Sequence, residues 1–393
     1  MVATARRKKT VILGLLGAVG FLTAYGAHAI AIGLPSYGRR YGLGYGAVGL
    51  LLAAYNLAEI VVKPAAGRLA DRIGARPVML WGTAFFSLSC LAYLFTPPAA
   101  LPALRICQGL GAGALSVASM LLVARIFPER LGAAMGAYHA LKGLGYAGVP
   151  LFGGVFGGGL RRLFAFAGVA GLGVFIMQAA CSPLLAARGQ AGLARPPRRH
   201  GRLWPWYLAN FADMALLGIV LGFLPVRADA LGYGPRAIGW LLLLPTLAYL
   251  LSQPPAGALA DRIGRQCLVP ASLAVGAAAV ATLGRLSGWP LHAAAVAAGL
   301  ALGATWANSL AGVGEAAGSG EMGSRLGLAG SCKDLGDVVG PLGLGILAQK
   351  AGLASAFSLC GLLGCLAAAV MILAGIRPGS RRPGMAGRAD AKG

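Results

Sequence analysis

Apolar residues along the chain form long runs that are separated by short segments rich in charge, glycine or proline. A helix that crosses the hydrocarbon core of a bilayer needs about 20 predominantly apolar residues. Runs of that length fall into two sets of six: 11–36, 46–66, 77–96, 99–124, 132–158 and 163–186, then 204–228, 236–256, 267–286, 291–314, 325–349 and 352–375. The pattern predicts an all-α membrane protein with twelve transmembrane helices in two bundles.

A polar segment separates the two sets. Residues 187–203 contain Pro196, Pro197 and five arginines, which is typical of a linker. We therefore divide the chain into an N-terminal six-helix bundle (1–186), a cytoplasmic linker (187–203), a C-terminal six-helix bundle (204–376) and a cytoplasmic tail (377–393). The first apolar run resembles a cleavable signal peptide. Because it continues to Leu34 and has a counterpart in the second half, we interpret it as a span.

The two halves repeat each other in sequence. GRLADRIG at 67–74 matches GALADRIG at 257–264 at an offset of 190, and Lys142 matches Lys333 at an offset of 191. Two copies of six spans that start on the same side imply bundles related by a pseudo-two-fold axis along the membrane normal. In such repeats the substrate site lies between the bundles near the middle of the membrane.

Composition excludes a soluble or a disordered protein. Apolar residues make up 58% of the chain and charged residues only 11%, whereas a soluble domain carries about 25% charged residues. On a soluble chain the net charge of +23 would suggest nucleic-acid binding. Here 22 of the 34 basic residues fall on the side of the linker and both termini, eight on the other side and four within spans. This bias places both termini in the cytoplasm and the protein in the inner membrane, with no nucleic-acid partner.

Three motifs resemble those of the major facilitator superfamily. GRLADRIGAR at 67–76 resembles the family's loop signature, with Ala75 where a basic residue is usual, and GALADRIGRQ at 257–266 echoes it. RICQGLG at 105–111 is similar to the family's R-x-x-Q-G-x-G motif. GYAGVPLFGG at 145–154 resembles its exporter motif, with Val149 in place of the central glycine. The resemblance covers nearly the whole chain and implies a twelve-helix transporter that works by alternating access.

The 67–76 segment is predicted to be a short loop that gates the transporter. Asp71 would cap a helix N-terminus or pair with a basic residue across the bundle interface, and its recurrence as Asp261 suits two rocking bundles. The alternative is a plain turn whose arginines only set the topology. The candidate gating residues are Gly67, Asp71, Arg72, Gly74, Arg76, Asp261 and Arg262.

Lys142 and Lys333 occupy equivalent places in spans 5 and 11. Two lysines facing a central cavity favour an anionic substrate. His139 lies three residues before Lys142 and on the same helix face, and His28 is central in span 1, so both are candidate substrate contacts. The alternative is internal neutralisation of Lys333 by Asp337, because intramembrane ions often pair with one another.

Carboxyl groups inside the spans are candidates for proton coupling: Glu59, Asp213, Asp334 and Asp337. A carboxyl group in an apolar cavity can bind and release protons as access alternates. Glu59 and Asp213 are the preferred carriers, because we identify no charged neighbour for them in the sequence. Arg105 in span 4 is a further candidate for a proton relay, and the alternative is an interfacial arginine that snorkels toward water.

We find no phosphate-binding GxxxxGK[ST] loop, no catalytic triad and no metal-ligand spacing. The seven cysteines are interpreted as small core hydrophobes. We therefore expect no enzyme, catalytic residue, cofactor or metal. The expected function is proton-coupled efflux, by a monomer in the lipid bilayer, of a small organic solute that is anionic. Uptake or exchange of an organic anion is the alternative within transport, and a non-transporting receptor on the same scaffold is the alternative from another class.

Overall fold

The computed structural model describes residues 10–27, 45–95, 97, 100–155, 160–180, 202–317 and 320–374. The described residues form twelve helices and no strands, which confirms the predicted all-α membrane fold. The helices are α1 (Thr10–Ala27), α2 (Tyr45–Ile73), α3 (Ala75–Ala92), α4 (Leu101–Ile126), α5 (Leu131–Val155), α6 (Leu160–Ala180), α7 (Trp204–Ala230), α8 (Pro235–Ile263), α9 (Arg265–Leu283), α10 (Gly288–Ala316), α11 (Met322–Ala351) and α12 (Leu353–Leu373).

Within the described residues, seven helices are long and apolar enough to cross a membrane by length and composition alone. Helices α2 and α11 are outside that set, and each carries charged residues in its middle, such as Lys63 and Lys333. Large apolar side chains such as Leu57, Trp81 and Leu362 are exposed. An exposed apolar surface of this kind suits a protein that is surrounded by lipid.

Helices α2 and α8 extend beyond their predicted ends. The predicted spans stop at residues 66 and 256, but the helices continue to Ile73 and Ile263. The predicted 67–76 loop is therefore wrong. The chain turns at single residues, Gly74 with a φ of 97° and Gly264 with a φ of 96°. Because glycine adopts positive φ readily, one residue is enough to end one helix and begin the next.

The two halves pack in matching ways. In the first half α4 lies against both α2 and α3, and in the second half α10 lies against both α8 and α9. Among the described residues, the two largest interfaces between the halves are α2 with α11 and α5 with α8. Glycines allow close approach in both: Gly67 lies against the backbone of Gly323, and Gly257 lies against the backbone of Gly132. This arrangement has the symmetry that the sequence repeat predicts.

The described cysteines differ in exposure. Cys90 and Cys360 are buried, whereas Cys267 is exposed at the start of α9. The interpretation of the cysteines as core residues is therefore right for the first two and wrong for Cys267.

Candidate functional site

A cavity of about 340 Å³ lies between the two halves. Helices α1, α2, α4 and α5 line it from the first half, and α7, α8, α10 and α11 line it from the second. Its size is that of a site for a small molecule. The sequence-predicted residues that it brings together are Glu59, His139, Lys142, Lys333, Asp334 and Asp337.

Four of the charged side chains in the cavity form one chain of ion pairs. Lys63 Nζ lies 2.7 Å from Glu59 Oε1 and also pairs with Asp334 Oδ2. Lys333 Nζ lies 3.1 Å from the other oxygen of Asp334. The order of charges is negative, positive, negative, positive. The chain is therefore neutral when all four groups are ionised, and it joins α2 of the first half to α11 of the second.

Sequence reasoning missed Lys63, which is only 3% exposed. The signal was present, because Glu59 and Lys63 are four residues apart in one helix and neighbours at that spacing share a face. The expectation that Glu59 has no charged neighbour is therefore wrong. The equivalent interface lies between α5 and α8. There the repeat puts Gln253 at the position that corresponds to Lys63 (offset 190) and Gly143 at the position that corresponds to Asp334 (offset 191). Only one of the two interfaces carries this ionic bridge between those positions.

Lys142 and Asp337 line the same cavity outside the ion-pair chain. Lys142 Nζ donates a hydrogen bond to Ser116 Oγ at 3.3 Å, and no carboxylate among the described residues lies within 4.0 Å of it. Asp337 is exposed to the cavity beside Gly218 of α7, and it has no ion pair in the described part of the chain. Lys333 thus pairs with Asp334, while Lys142 has no ion-pair partner among the described residues.

His139 is buried against aromatic rings. Its ring centroid lies 4.9 Å from that of Tyr138 and 5.0 Å from that of Trp306, both edge-to-face. Its Nε2 is buried and has no hydrogen-bond partner among the described residues. His28 lies outside the described residues.

Asp213 is fully buried in α7 and does not line the cavity wall. Neither of its carboxylate oxygens has a hydrogen-bond partner within the described ranges. The positive charge of Lys333 interacts electrostatically with the Asp213 carboxyl group. A buried carboxylate without hydrogen bonds is costly, and binding of a proton removes that charge.

Arg105 is 2% exposed, so the alternative of an arginine that snorkels to the interface is wrong. Its Nε donates to the Leu51 carbonyl at 3.1 Å, and its Nη1 donates to Gln108 Oε1 at 2.9 Å. Its guanidinium also lies 4.7 Å from the ring centroid of Tyr55, which lines the cavity. These partners hold the guanidinium inside the protein, and among the described cavity residues Arg105 contacts Tyr55.

Asp71 joins the halves at one end of the molecule. Its two carboxylate oxygens accept hydrogen bonds from the backbone amides of Gly323 and Ser324, each at 2.8 Å. These amides lie in the first turn of α11, where backbone N–H groups lack intrahelical partners and the helix dipole favours negative charge. We call this contact the Asp71 clamp.

Asp261 forms the same contact at the other interface. It accepts from the amides of Gly132 at 3.1 Å and Ala133 at 3.2 Å, in the first turn of α5. We call this contact the Asp261 clamp, and the end of the molecule that carries both is the clamp end. The two clamps hold the halves together at this end, on one side of the cavity.

The arginine that pairs with the clamp aspartate comes from a different position of the repeat in each half. Arg265 pairs with Asp261 and lies 2.6 Å from Glu315 Oε1. The equivalent positions in the first half are Ala75 and Arg125, and Arg125 Nη2 lies 3.5 Å from Asp71. The basic residue that the signature lacks at Ala75 is thus supplied by α4. The remaining candidate gating residues do not contact an aspartate of the clamps: Arg72 and Arg262 are exposed, Gly74 forms a turn, and Arg76 is half-buried.

A family model described as the Major Facilitator Superfamily matches residues 16–200 and 206–391. Multidrug resistance protein 2 of Bacillus subtilis is 26% identical over 297 residues, which cover 70% of this chain and 73% of that protein. Quinolone resistance protein NorA of Staphylococcus aureus is 31% identical over 162 residues, which cover 40% and 41%. Multidrug resistance protein Stp of Mycobacterium tuberculosis is 33% identical over 138 residues, which cover 34% and 26%. The match to the mycobacterial relatives thus spans about a quarter of their length.

Solved structures show the same fold. The proton:xylose symporter XylE superimposes with a TM-score of 0.75 at 16% identity, covering 94% of this chain and 96% of that one. The human organic anion transporter MFSD10 superimposes with a TM-score of 0.73 at 20% identity, covering 93% and 99%.

Proposed function

Because the chain belongs to the major facilitator superfamily, we propose that it exports a small organic anion in exchange for protons. The observation that carries the proposal is Lys142, a cavity lysine without a carboxylate partner in the described part of the chain. A cation held in a low-dielectric cavity gains most from a ligand that brings the opposite charge. The relatives' names support export, since they describe multidrug and quinolone resistance.

We propose that the clamp end faces the cytoplasm, on the basis of the bias in basic residues. With both clamps formed, the cavity is closed to that side. When the clamps open, the Lys63–Asp334 bridge must separate, because its partners lie on α2 and α11. An anionic substrate enters from the cytoplasm and binds Lys142. Closure of the clamps then blocks its return to the cytoplasm, so that it leaves on the outer side.

We assign the coupling proton to Asp213 in this scheme. Its carboxylate is buried without a hydrogen-bond partner among the described residues and is near enough to Lys333 to respond to its charge. When Asp334 loses Lys63 during rocking, the balance of charge around Lys333 changes, and the cost of an ionised Asp213 changes with it. Proton binding and release are thereby linked to the position of the halves.

Transport by the full chain in everted membrane vesicles tests the proposal. With fluorescein as the anionic probe, energised vesicles are expected to accumulate the dye, and an uncoupler is expected to release it. Lys142→Ala should lower accumulation about tenfold, as expected for loss of one charge contact, while Lys350→Ala, at an exposed lysine of α11, should not. Accumulation without a pH gradient, or equal accumulation in vesicles that lack the protein, would falsify the proposal. Accumulation only in right-side-out vesicles would instead indicate uptake.

Asp213→Asn is expected to abolish proton-driven accumulation, because asparagine keeps the shape of the side chain but cannot bind a proton. Binding of the probe to purified protein should change less than about twofold, since Asp213 does not line the cavity. Asp229→Asn is the matched control, because Asp229 is exposed on the same helix. Normal proton-driven accumulation by Asp213→Asn would show that another group carries the proton.

A further inference from the structure

We propose that the cavity selects zwitterionic solutes, with the anionic group of the solute on Lys142 and its cationic group on Asp337. This inference rests on the proposed function and deepens it, because it adds to the exported anion a positive charge that strengthens binding. The inference is based on which charged side chains of the cavity pair with one another and which are left without an ion-pair partner among the described residues.

Among the described residues, six lysine and acidic side chains line the cavity, three of each sign. Glu59, Lys63, Asp334 and Lys333 form the continuous ion-pair chain, so their charges are balanced by one another. Lys142 and Asp337 are outside it, and neither has an ion-pair partner among the described residues. The described part of the chain therefore leaves one positive and one negative charge for a ligand.

The two charges lie on different halves and at different depths. Lys142 on α5 is 10 residues beyond Gly132 of the Asp261 clamp, and Asp337 on α11 is 14 residues beyond Gly323 of the Asp71 clamp. At 1.5 Å per residue these positions are about 15 and 21 Å from the clamp end. A complementary solute therefore spans the cavity between the halves, with its cationic group farther from the clamp end by about 6 Å.

Aromatic side chains line the same cavity as these charges. Tyr55 of α2, Tyr249 of α8 and Trp306 of α10 line the cavity. Such rings favour a flat or apolar body through area burial and stacking. The arrangement suits a solute whose charged ends are joined by an aromatic or other rigid core.

A zwitterion is favoured over an anion because closure of the cavity removes water from both unpaired groups. A simple anion neutralises Lys142 but leaves the Asp337 carboxylate without a partner, and a simple cation does the reverse. Removing one partner from a desolvated pair is strongly unfavourable. The cavity therefore discriminates in two ways: it attracts both charges of a zwitterion, and a ligand with one charge leaves an unpaired charged group in the closed cavity.

A matched set of three compounds tests the inference on the purified full chain. Norfloxacin carries a carboxylate and a piperazinium, its N-acetyl derivative carries only the carboxylate, and its ethyl ester carries only the piperazinium. Binding is measured by quenching of Trp fluorescence and by thermal stabilisation, since a ligand of the folded state raises its apparent stability. Norfloxacin is expected to bind about tenfold more tightly than either derivative.

The variants assign each preference to one residue. Lys142→Ala should abolish the preference for norfloxacin over its ester, and Asp337→Asn should abolish the preference for norfloxacin over its N-acetyl derivative. Lys350→Ala and Asp229→Asn should keep both preferences, because those side chains are exposed outside the cavity.

Equal binding of norfloxacin and its N-acetyl derivative would overturn the inference and leave proposed anion export intact. Binding of none of the three compounds, or unchanged preferences in both cavity variants, would also overturn it. Failure of the vesicle experiment with fluorescein would instead count against proton-driven export. The two failures are therefore distinguishable.

Discussion

Lys63→Ala is expected to lower the free energy of unfolding by about 3–5 kcal/mol, the usual cost of breaking a buried ion pair from one side. Lys63 lies between the carboxylates of Glu59 and Asp334, and it is 3% exposed. Without it, Glu59 loses its ion-pair partner among the described residues and two negative groups face each other across the α2–α11 interface. Denaturant unfolding of purified protein in detergent micelles measures the change.

Two further variants separate this explanation from a general effect of losing a lysine. Lys350→Ala removes an exposed lysine of α11 and should change stability by less than about 0.5 kcal/mol. The charge-balanced double variant with Lys63→Met and Glu59→Gln, which leaves Asp334 paired with Lys333, should recover much of the lost stability, because the cost lies in uncompensated charge rather than in missing attraction. Equal stability of Lys63→Ala and Lys350→Ala would contradict the assignment of a buried bridge.

Gly257→Ala is expected to weaken closure of the clamp end by about 1–3 kcal/mol, the range for overpacking a tight contact. A Cβ at Gly257 would overlap the backbone carbonyl of Gly132, and backbone atoms can make room only if α5 and α8 separate. Separation releases the Gly132 and Ala133 amides from Asp261. Hydrogen exchange in a peptide covering residues 131–140, followed by mass spectrometry, should become faster by about 5- to 150-fold.

Gly239→Ala in the same helix is the matched control. A Cβ there has no described atom within 4 Å, so the substitution adds a methyl group without overlap. Because alanine has the higher helix propensity, this variant should keep or slightly raise protection. If the two variants exchange equally fast in the 131–140 peptide, the close contact of Gly257 with Gly132 does not control the clamp.

The sequence predicted helices better than it predicted their ends. Long apolar runs indicate helices that are buried in lipid, and the twelve helices of the described residues follow those runs. The last two turns of α2 and α8 are polar and glycine-containing, so hydropathy gave no reason to extend the helices to Ile73 and Ile263. Those turns are stabilised by packing against the other half, which a hydropathy pattern does not contain.

The candidate site was predicted in part. The repeat picked out Lys142 and Lys333 as equivalent, and both line the cavity. Their surroundings differ, because Lys333 pairs with Asp334 whereas Lys142 donates to Ser116. Lys63 was detectable from its spacing to Glu59 but was passed over, and its second partner Asp334 lies 271 residues away.

The sequence by itself determined the helices, the two-fold repeat and the family, since apolar run length, internal similarity and local motifs are properties of neighbouring residues. Only the tertiary structure decided which charges cancel. Lys63 meets Asp334 and Asp71 meets the first turn of α11 because two halves of the chain pack together. Electrostatic energy depends on distance and burial, and between helices of different halves neither quantity can be calculated from positions along the chain.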